Sequence, residues 1–347
     1  MVSNRNFYNK LAIGAPAPEK ELENNLERVI HFFPPHIKNV IDKLPEITKE
    51  SDVILGNLED GISPKDKITA RESLAKIGQQ LDLSGTGLWT RVNSIDSPWF
   101  LDDISYLIEN LGNKLDVIML PMINDENEIL FADRYIALNE AKFNLTKQIK
   151  IHVILETAEG VMNVEKLARS SPRLHGFSLG PADLAASRGM KTIRVGGGHP
   201  DYGVHGDTDI NNKNRKFYQQ DLWHYSLSKM IDACAANGIK PFFGPFGDFD
   251  DPEGCESQFR NSFILGCAGA WSLHPSQITI AKRVFSPSKE EVEKAVKIIE
   301  AMGDGTGAVK VDGKMQDDAT VKQSMILINL AKKIKEKDPE IGEEYKV

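Results

Sequence analysis

The sequence is poor in the features that mark many protein classes. Only three of its 347 residues are cysteine: Cys234, Cys255 and Cys267. Their number is odd and no CxxC pair occurs, which argues against a disulfide framework or a thiolate zinc site. No apolar stretch approaches the ~18 residues needed to span a bilayer. The opening Met1-Val2-Ser3-Asn4-Arg5-Asn6 contains no apolar signal core. Lys and Arg form no cluster resembling a nucleic-acid footprint, and the net charge is −8. These absences predict a soluble protein of the reducing cytoplasm, with neither membrane nor nucleic acid as partner. Several catalytic signatures are missing too: there is no HExxH, no GxSxG elbow and no Walker loop. The eight histidines show no metal-ligand spacing. No lysine sits within an apolar run at a rim position, which argues against Schiff-base chemistry.

Apolar residues make up 41% of the chain, enough for a full-sized core. They concentrate in eight short runs: Val29–Phe33, Val53–Leu58, Leu88–Val92, Leu115–Leu120, Ile149–Leu155, Leu174–Leu179, Ile239–Phe243 and Ala268–Leu273. Most are uninterrupted rather than alternating, as expected of parallel strands covered on both faces. Helical patterns separate them. One spans Glu126–Asn144, and another places Leu227, Met230, Ile231 and Cys234 on one face. Eight β runs alternating with helices predict an α/β fold, a closed (β/α)8 TIM barrel over residues 1–285.

Two stretches exceed a plain barrel. A polar insertion runs from about 188 to 220 and contains Gly196-Gly197-Gly198. These glycines follow no strand, so they do not read as a phosphate loop; the length of the insertion suggests a functional loop or lid. Residues 286–347 form a C-terminal helical extension. Ser288-Lys289-Glu290-Glu291 reads as a capping box opening a helix with Val292, Ala295, Val296 and Ile299 inward. Gly303–Gly307 follows a helix and reads as a joint. A last helix, about Asp318 to Lys335, carries Val321, Met325 and Ile328 on one face. Apolar stripes beyond a finished barrel need a covering surface, and a neighbouring subunit is the expected one.

In barrels of this kind the chemistry sits at the carboxyl ends of the strands. Those ends carry Glu59 and Asp60, Arg91, Glu156, Asp183 and His274. Glu156 and Asp183 close two consecutive strands. They read either as ligands of a hard cation such as Mg2+, which needs only one or two protein carboxylates, or as acids that start the next helices. Arg91, in a strand with Leu88, Trp89 and Val92, reads as an anion binder or as a buried partner of Glu59 or Asp60. Glu59 and Asp60 either orient waters and Arg91 around a metal or cap the helix near Pro64. His274 reads as a strand-end hydrogen-bonding group.

The segments Asn57-Leu58-Glu59-Asp60-Gly61, Trp89-Thr90-Arg91-Val92-Asn93, Leu155-Glu156-Thr157-Ala158-Glu159-Gly160, Gly176–Arg188, Gly269–Gln277 and Asp312–Asp318 resemble, in order, the citrate lyase β-subunit/HpcH-HpaI aldolase superfamily. The resemblance is strongest to its members acting on malyl-CoA and β-methylmalyl-CoA, and runs nearly end to end. It implies a barrel carbon–carbon lyase using Mg2+, with Mn2+ as alternative, that releases glyoxylate and acetyl-CoA or propionyl-CoA. It implies that Glu156 and Asp183 hold the metal, that Arg91 meets the thioester oxygen or glyoxylate, and that Glu59 and Asp60 support them. Phe32, Phe33, Lys38 and Lys43 become the CoA region, with Ala182, Asp183, Leu273 and His274 also near substrate. Asp317 becomes an acid/base group delivered to a neighbouring subunit of a homo-oligomer, for which a hexamer is implied. Many relatives have a glycine-rich turn after the first strand. Here Pro34-Pro35 offers no N–H groups, which shifts the expected phosphate contacts to Lys38 and Lys43. Alternative readings are a malyl-CoA thioesterase or malate synthase-like enzyme, and a silent CoA-binding subunit.

Overall fold

The computed structural model describes residues 25–206, 215–303 and 307–347. Its elements in chain order are β1 (Val29–Phe33), α1 (Lys38–Ile41), α2 (Leu44–Glu50), β2 (Val53–Asn57), α3 (Lys67–Gln80), β3 (Gly87–Arg91), α4 (Phe100–Leu111), β4 (Val117–Leu120), α5 (Glu126–Phe143), β5 (Lys150–Leu155), α6 (Ala158–Leu167), β6 (Leu174–Leu179) and α7 (Pro181–Ser187). They continue with β7 (Gly203–His205), β8 (Phe217–Gln219), α8 (His224–Asn237), β9 (Lys240–Phe243), α9 (Pro252–Leu265), β10 (Gly269–Ser272), α10 (Ser276–Val284), α11 (Lys289–Met302), β11 (Ala308–Val311), β12 (Lys314–Asp317), α12 (Asp318–Lys337) and α13 (Pro339–Gly342). All eight apolar runs of the sequence are barrel strands, within two residues at either end.

The barrel closes in the order β1-β10-β9-β6-β5-β4-β3-β2, every pair parallel. Its side chains divide by strand parity. Ile30, Phe32, Val53, Leu55, Trp89, Val117, Met119, Ile154, Phe242 and Trp271 fill the interior. Residues of the opposite parity, such as Ile54, Leu88, Ile118, Val153 and Phe177, join the helices in a much larger outer core. Burial on both faces explains why the strands read as continuous apolar runs. Asp125 and Glu128 form a capping box at the start of α5, typically worth ~1 kcal/mol. The buried Arg173 ties β6 to α5, with Nε 3.0 Å from Asp133 and Nη1 2.7 Å from Glu140.

The insertion holds the antiparallel hairpin β7–β8. Its glycine run lies against the loop after β9: Gly247 N–H donates to Val195 O, and Trp223 Nε1 donates to Gly197 O. It packs against its own rim.

The extension keeps the expected capping box of Ser288 and Glu291, but its buried faces are rotated from the expected ones. In α11, Val292 and Ala295 are buried as expected, together with Ile298 and Met302, while Val296 and Ile299 are half-buried. In α12 the buried stripe is Ser324, Ile328, Ala331 and Ile334, and Met325 is exposed. Ala331 and Ile334 pack with Val292 of α11, and that contact selects the face. The extension also closes on its own barrel. Asp338 lies 2.7 Å from Arg28 and 2.8 Å from Lys282; within the extension, Tyr345 OH donates to Pro287 O. Of the expected joint Gly303–Gly307, residues 304–306 lie outside the described residues. All three cysteines are free and buried.

Candidate active site

At the carboxyl ends of the strands lies a cavity of about 460 Å3. Phe32, Phe33, Asn57, Asp60, Arg91, Glu156, Gly180, Ala182, Asp183, Trp271 and Leu273 line it. It is floored by the interior layer, where Phe32 and Trp271 pack with ring centroids 4.3 Å apart.

Glu156 follows β5 directly and is only 3% exposed. Thr157, not Glu156, caps α6, its hydroxyl accepting from Gly160 N–H at 2.9 Å. Glu156 therefore does not serve its own helix. Its Oε1 accepts from the Met122 N–H, 2.6 Å away in the loop after β4. Its other oxygen fits because residue 180 is glycine: a Cβ there would come within 2.9 Å of Oε2 and 2.6 Å of the Glu156 Cβ. Asp183 is half-buried in the first turn of α7, and its charge bears on Glu156. Asp183 thus sits where an acid suits a helix start and also lines the cavity.

Arg91 ends β3 and is buried. Its Nε donates to Asn57 Oδ1 at 2.8 Å, and Nη1 lies 2.9 Å from Glu59 and 3.7 Å from Asp60. The guanidinium also stands over the Phe32 ring, 5.6 Å from its centroid. The ion pair with Glu59 exists, and the same side chain lines the cavity, so the two readings of Arg91 are compatible. Glu59 and Asp60 do not cap the following helices; those positions belong to Ser63 and Asp66.

Four acids thus face one arginine. Burial pushes the Glu156 carboxyl up to about 8, against the pull of Arg91 and the Met122 amide, with Glu59 and Asp183 adding repulsion. Burial raises Asp183 as well, assisted by the charge of Asp60. Glu59 is raised by burial despite Arg91. Burial makes the charged form of these carboxylates costly, a cost that a hard divalent cation offsets, and all the candidate donors are oxygens. Glu156 and Asp183 fit such an ion. Among the described residues no group of three or more His, Cys, Asp or Glu is placed to hold an ion together, so an ion on Glu156 and Asp183 would take its remaining positions from water and substrate.

The family model for HpcH/HpaI aldolase/citrate lyase matches residues 28–275, the whole of this barrel. The chain belongs to that family. A malyl-CoA/β-methylmalyl-CoA/citramalyl-CoA lyase from Chloroflexus aurantiacus is 54% identical over 98% of both chains. An L-malyl-CoA/β-methylmalyl-CoA lyase from Cereibacter sphaeroides is 37% identical, covering 82% of this chain and 88% of the relative. A (3S)-malyl-CoA thioesterase from that species is more distant, 28% identical over 84% of this chain and 90% of the relative. Among solved structures, CitE from Mycobacterium tuberculosis in complex with magnesium, acetoacetate and coenzyme A superposes with a TM-score of 0.67 at 21% identity. It covers 88% of this chain and 98% of that one, and shares the fold.

The structure gathers most of the residues expected from the sequence, but not all. Phe32, Phe33, Asp60, Arg91, Glu156, Ala182, Asp183 and Leu273 line the cavity, with Glu59 held on Arg91. Lys38 lies outside it, 83% exposed and paired with Asp42 at 2.8 Å. Lys43 is exposed at the start of α2. His274 is exposed, hydrogen-bonds Ser276 and stacks on Phe249. Asp317 caps α12, accepting from the Ala319 and Thr320 amides; within one chain it is not part of the cavity. Asn57, Gly180, Trp271 and Met122 were not singled out from the sequence. Asn57 and Gly180 stand inside the quoted motifs. Nothing in the sequence marks Met122, whose contribution is a backbone N–H.

Proposed function

We propose that this chain cleaves malyl-CoA and β-methylmalyl-CoA, reversibly, to glyoxylate plus acetyl-CoA or propionyl-CoA, with Mg2+ as cofactor and Mn2+ as alternative. The observation that carries the reading is the meeting of Glu156, Asp183 and Arg91 around one cavity at the barrel rim. Near-full-length similarity to relatives named for that reaction supports it. Glu156 and Asp183 would hold the divalent ion, which when bound would supply Lewis-acid stabilisation of developing negative charge.

The chain's own residues do the rest. Arg91 offers its guanidinium to the thioester oxygen, where negative charge develops as the carbon–carbon bond opens. The carbinol hydroxyl would lose its proton to a rim carboxylate and its electron pair would form the aldehyde C=O of glyoxylate, while the carbon–carbon bonding pair stays on the acyl α-carbon as an enolate. Phe32 and Trp271 wall the acyl group and exclude water. The enolate carbon then needs a proton, and Asp317 of a neighbouring subunit is the proposed donor. That assignment asks for a homo-oligomer, with a hexamer implied by the resemblance. Lys38 and Lys43, being outside the cavity, would meet only the CoA phosphates beyond its mouth. His274 would act at that mouth.

Glyoxylate release from malyl-CoA by purified protein, with and without EDTA, tests the reading. Release that stops in EDTA and returns with Mg2+ is expected. Activity undiminished in EDTA removes the metal, and free thiol without glyoxylate identifies a thioesterase. Citramalyl-CoA, in the name of the Chloroflexus relative, belongs in the same assay.

A further inference from the structure

The loop joining β4 to α5 contains a backbone anomaly that serves the site. Met122 has φ +57°, a left-handed conformation that residues with a side chain seldom adopt. Its side chain is 39% exposed, so packing of that side chain does not demand the twist. The twisted backbone does aim the Met122 N–H at Glu156 Oε1, 2.6 Å away.

Asn124 holds this turn. Its Nδ2 donates to Met122 O at 3.0 Å, bracing the left-handed residue from its carbonyl side. Its Oδ1 accepts from the Thr157 hydroxyl at 2.6 Å, and Thr157 is the residue after Glu156. The ring closes: Glu156 to Met122, Met122 to Asn124, Asn124 to Thr157, and Thr157 to Glu156 through one peptide bond. Asn163 of α6 adds a hydrogen bond to Asn124 O at 2.9 Å. The α6 backbone approaches the loop so closely that a Cβ on Gly160 would lie 2.5 Å from Ile123 O. The Asn124 side chain is not needed to start α5, since Asp125 and Glu128 already form that capping box.

We propose that Asn124 is a positioning residue for the cation site. It locks Met122 in the turn whose amide fixes the Glu156 carboxylate, and so sets divalent-ion affinity. The inference rests on the reading of Glu156 as a metal ligand. Partners that orient a metal ligand are typically worth ~10–100-fold in affinity.

The test reads metal binding directly, by electron paramagnetic resonance titration of the EDTA-stripped, dialysed protein with Mn2+. Asn124→Ala should bind Mn2+ about 10–100-fold more weakly than wild type. Its activity should need correspondingly more Mg2+, with kcat nearly restored at saturation. Asn124→Asp, which loses the Nδ2 donor but keeps the shape, should show a loss of the same kind and replaces the alanine variant if that one folds poorly. The decisive variant is Asn124→Ala with Met122→Gly, because glycine enters the left-handed region without a brace. It should recover a measurable part of the lost affinity, which a merely structural role of Asn124 would not allow. Wild-type Mn2+ affinity in Asn124→Ala, or no recovery on adding Met122→Gly, overturns the proposal. Glu156→Gln separates the two levels. If it binds Mn2+ like wild type, the metal reading itself fails. If it alone loses the ion, only the role of Asn124 fails.

Discussion

Two buried glutamates at opposite ends of the barrel meet opposite fates. Glu27 stands just before β1 at the amino-terminal mouth and is 8% exposed; Glu156 stands just after β5 at the carboxyl rim and is 3% exposed. Burial pushes both carboxyls up. At Glu27, His175 at 3.0 Å and Lys240 at 2.6 Å overcome that push and bring it down to about 2. At Glu156 the pull of Arg91 is shared with Glu59 and Asp60, Asp183 adds charge of the wrong sign, and the carboxyl rises to about 8. The floor is electrically closed and the rim is short of positive charge. A closed cluster serves stability, and an open one invites a ligand. The two are joined by a column of hydrogen bonds inside the barrel. His175 meets His152 at 3.2 Å, His152 meets Ser178 at 2.8 Å, and Ser178 accepts from the Trp271 indole, which lines the cavity.

The same substitution at each end should therefore do different things. Glu156→Gln removes the carboxylate proposed to hold the cation, and kcat should fall about 10^3-fold, equivalent to ~4 kcal/mol of transition-state stabilisation. Its metal-free form should melt no lower than wild type, because an ill-tolerated charge is gone. Glu27→Gln leaves Lys240 and His175 beside a neutral amide. It should cost about 3–5 kcal/mol of stability, while the folded fraction keeps near-normal activity. Steady-state kinetics and thermal melts on both variants decide the matter. Equal losses of activity, or a Glu156→Gln protein that unfolds early, would break the contrast.

Ligand linkage is the next, smaller effect. Mg2+ at about a hundred times its dissociation constant should stabilise the wild-type fold by ~2.7 kcal/mol. The increment should persist in Glu27→Gln and vanish in Glu156→Gln. A shift of the same size in all three proteins would mean that the ion binds elsewhere.

The barrel was legible in the sequence because its physics is local and periodic. Eight buried strands leave eight apolar runs, and a single misplaced run would have been visible as a gap. Glu156 and Asp183, the pair proposed to hold the metal, stood out as carboxylates at strand ends, and Arg91 as a charge in a strand that could not bury it alone. The helix faces of the extension were less so. Whether Val296 or Ile298 of α11 turns inward depends on how α12 lies against it, and the sequence of α11 does not encode that. The Glu27–His175–Lys240 floor was invisible for a similar reason: its members are far apart in the chain and meet only when β1, β6 and β9 are brought together in the closed barrel. Met122 could not be found at all, because its part is played by backbone geometry rather than by a side-chain type.

The finest discrimination between rim and floor is their response to pH, read as the stability gap between wild type and each glutamine variant in EDTA-stripped protein. Titrations far from both substituted residues, such as that of buried His31, cancel in such a gap. Glu156 has its folded value raised from 4.5 to about 8. Its contribution is complete below pH 4.5 and is lost as pH climbs through 8, since the folded state alone binds a proton in that window. Wild type should therefore lose ground to Glu156→Gln between about pH 6.5 and 7.5, by at most ~1.4 kcal/mol. Glu27 is lowered from 4.5 to about 2. Its contribution is complete above pH 4.5 and fades only as pH falls towards 2, so the Glu27 carboxyl itself adds no slope to the gap to Glu27→Gln over the same interval. Chemical denaturation at three pH values gives both slopes. A flat rim gap would mean that Glu156 is already ionised without metal, and the surplus of negative charge that distinguishes the two ends of the barrel would have to be balanced by some other group.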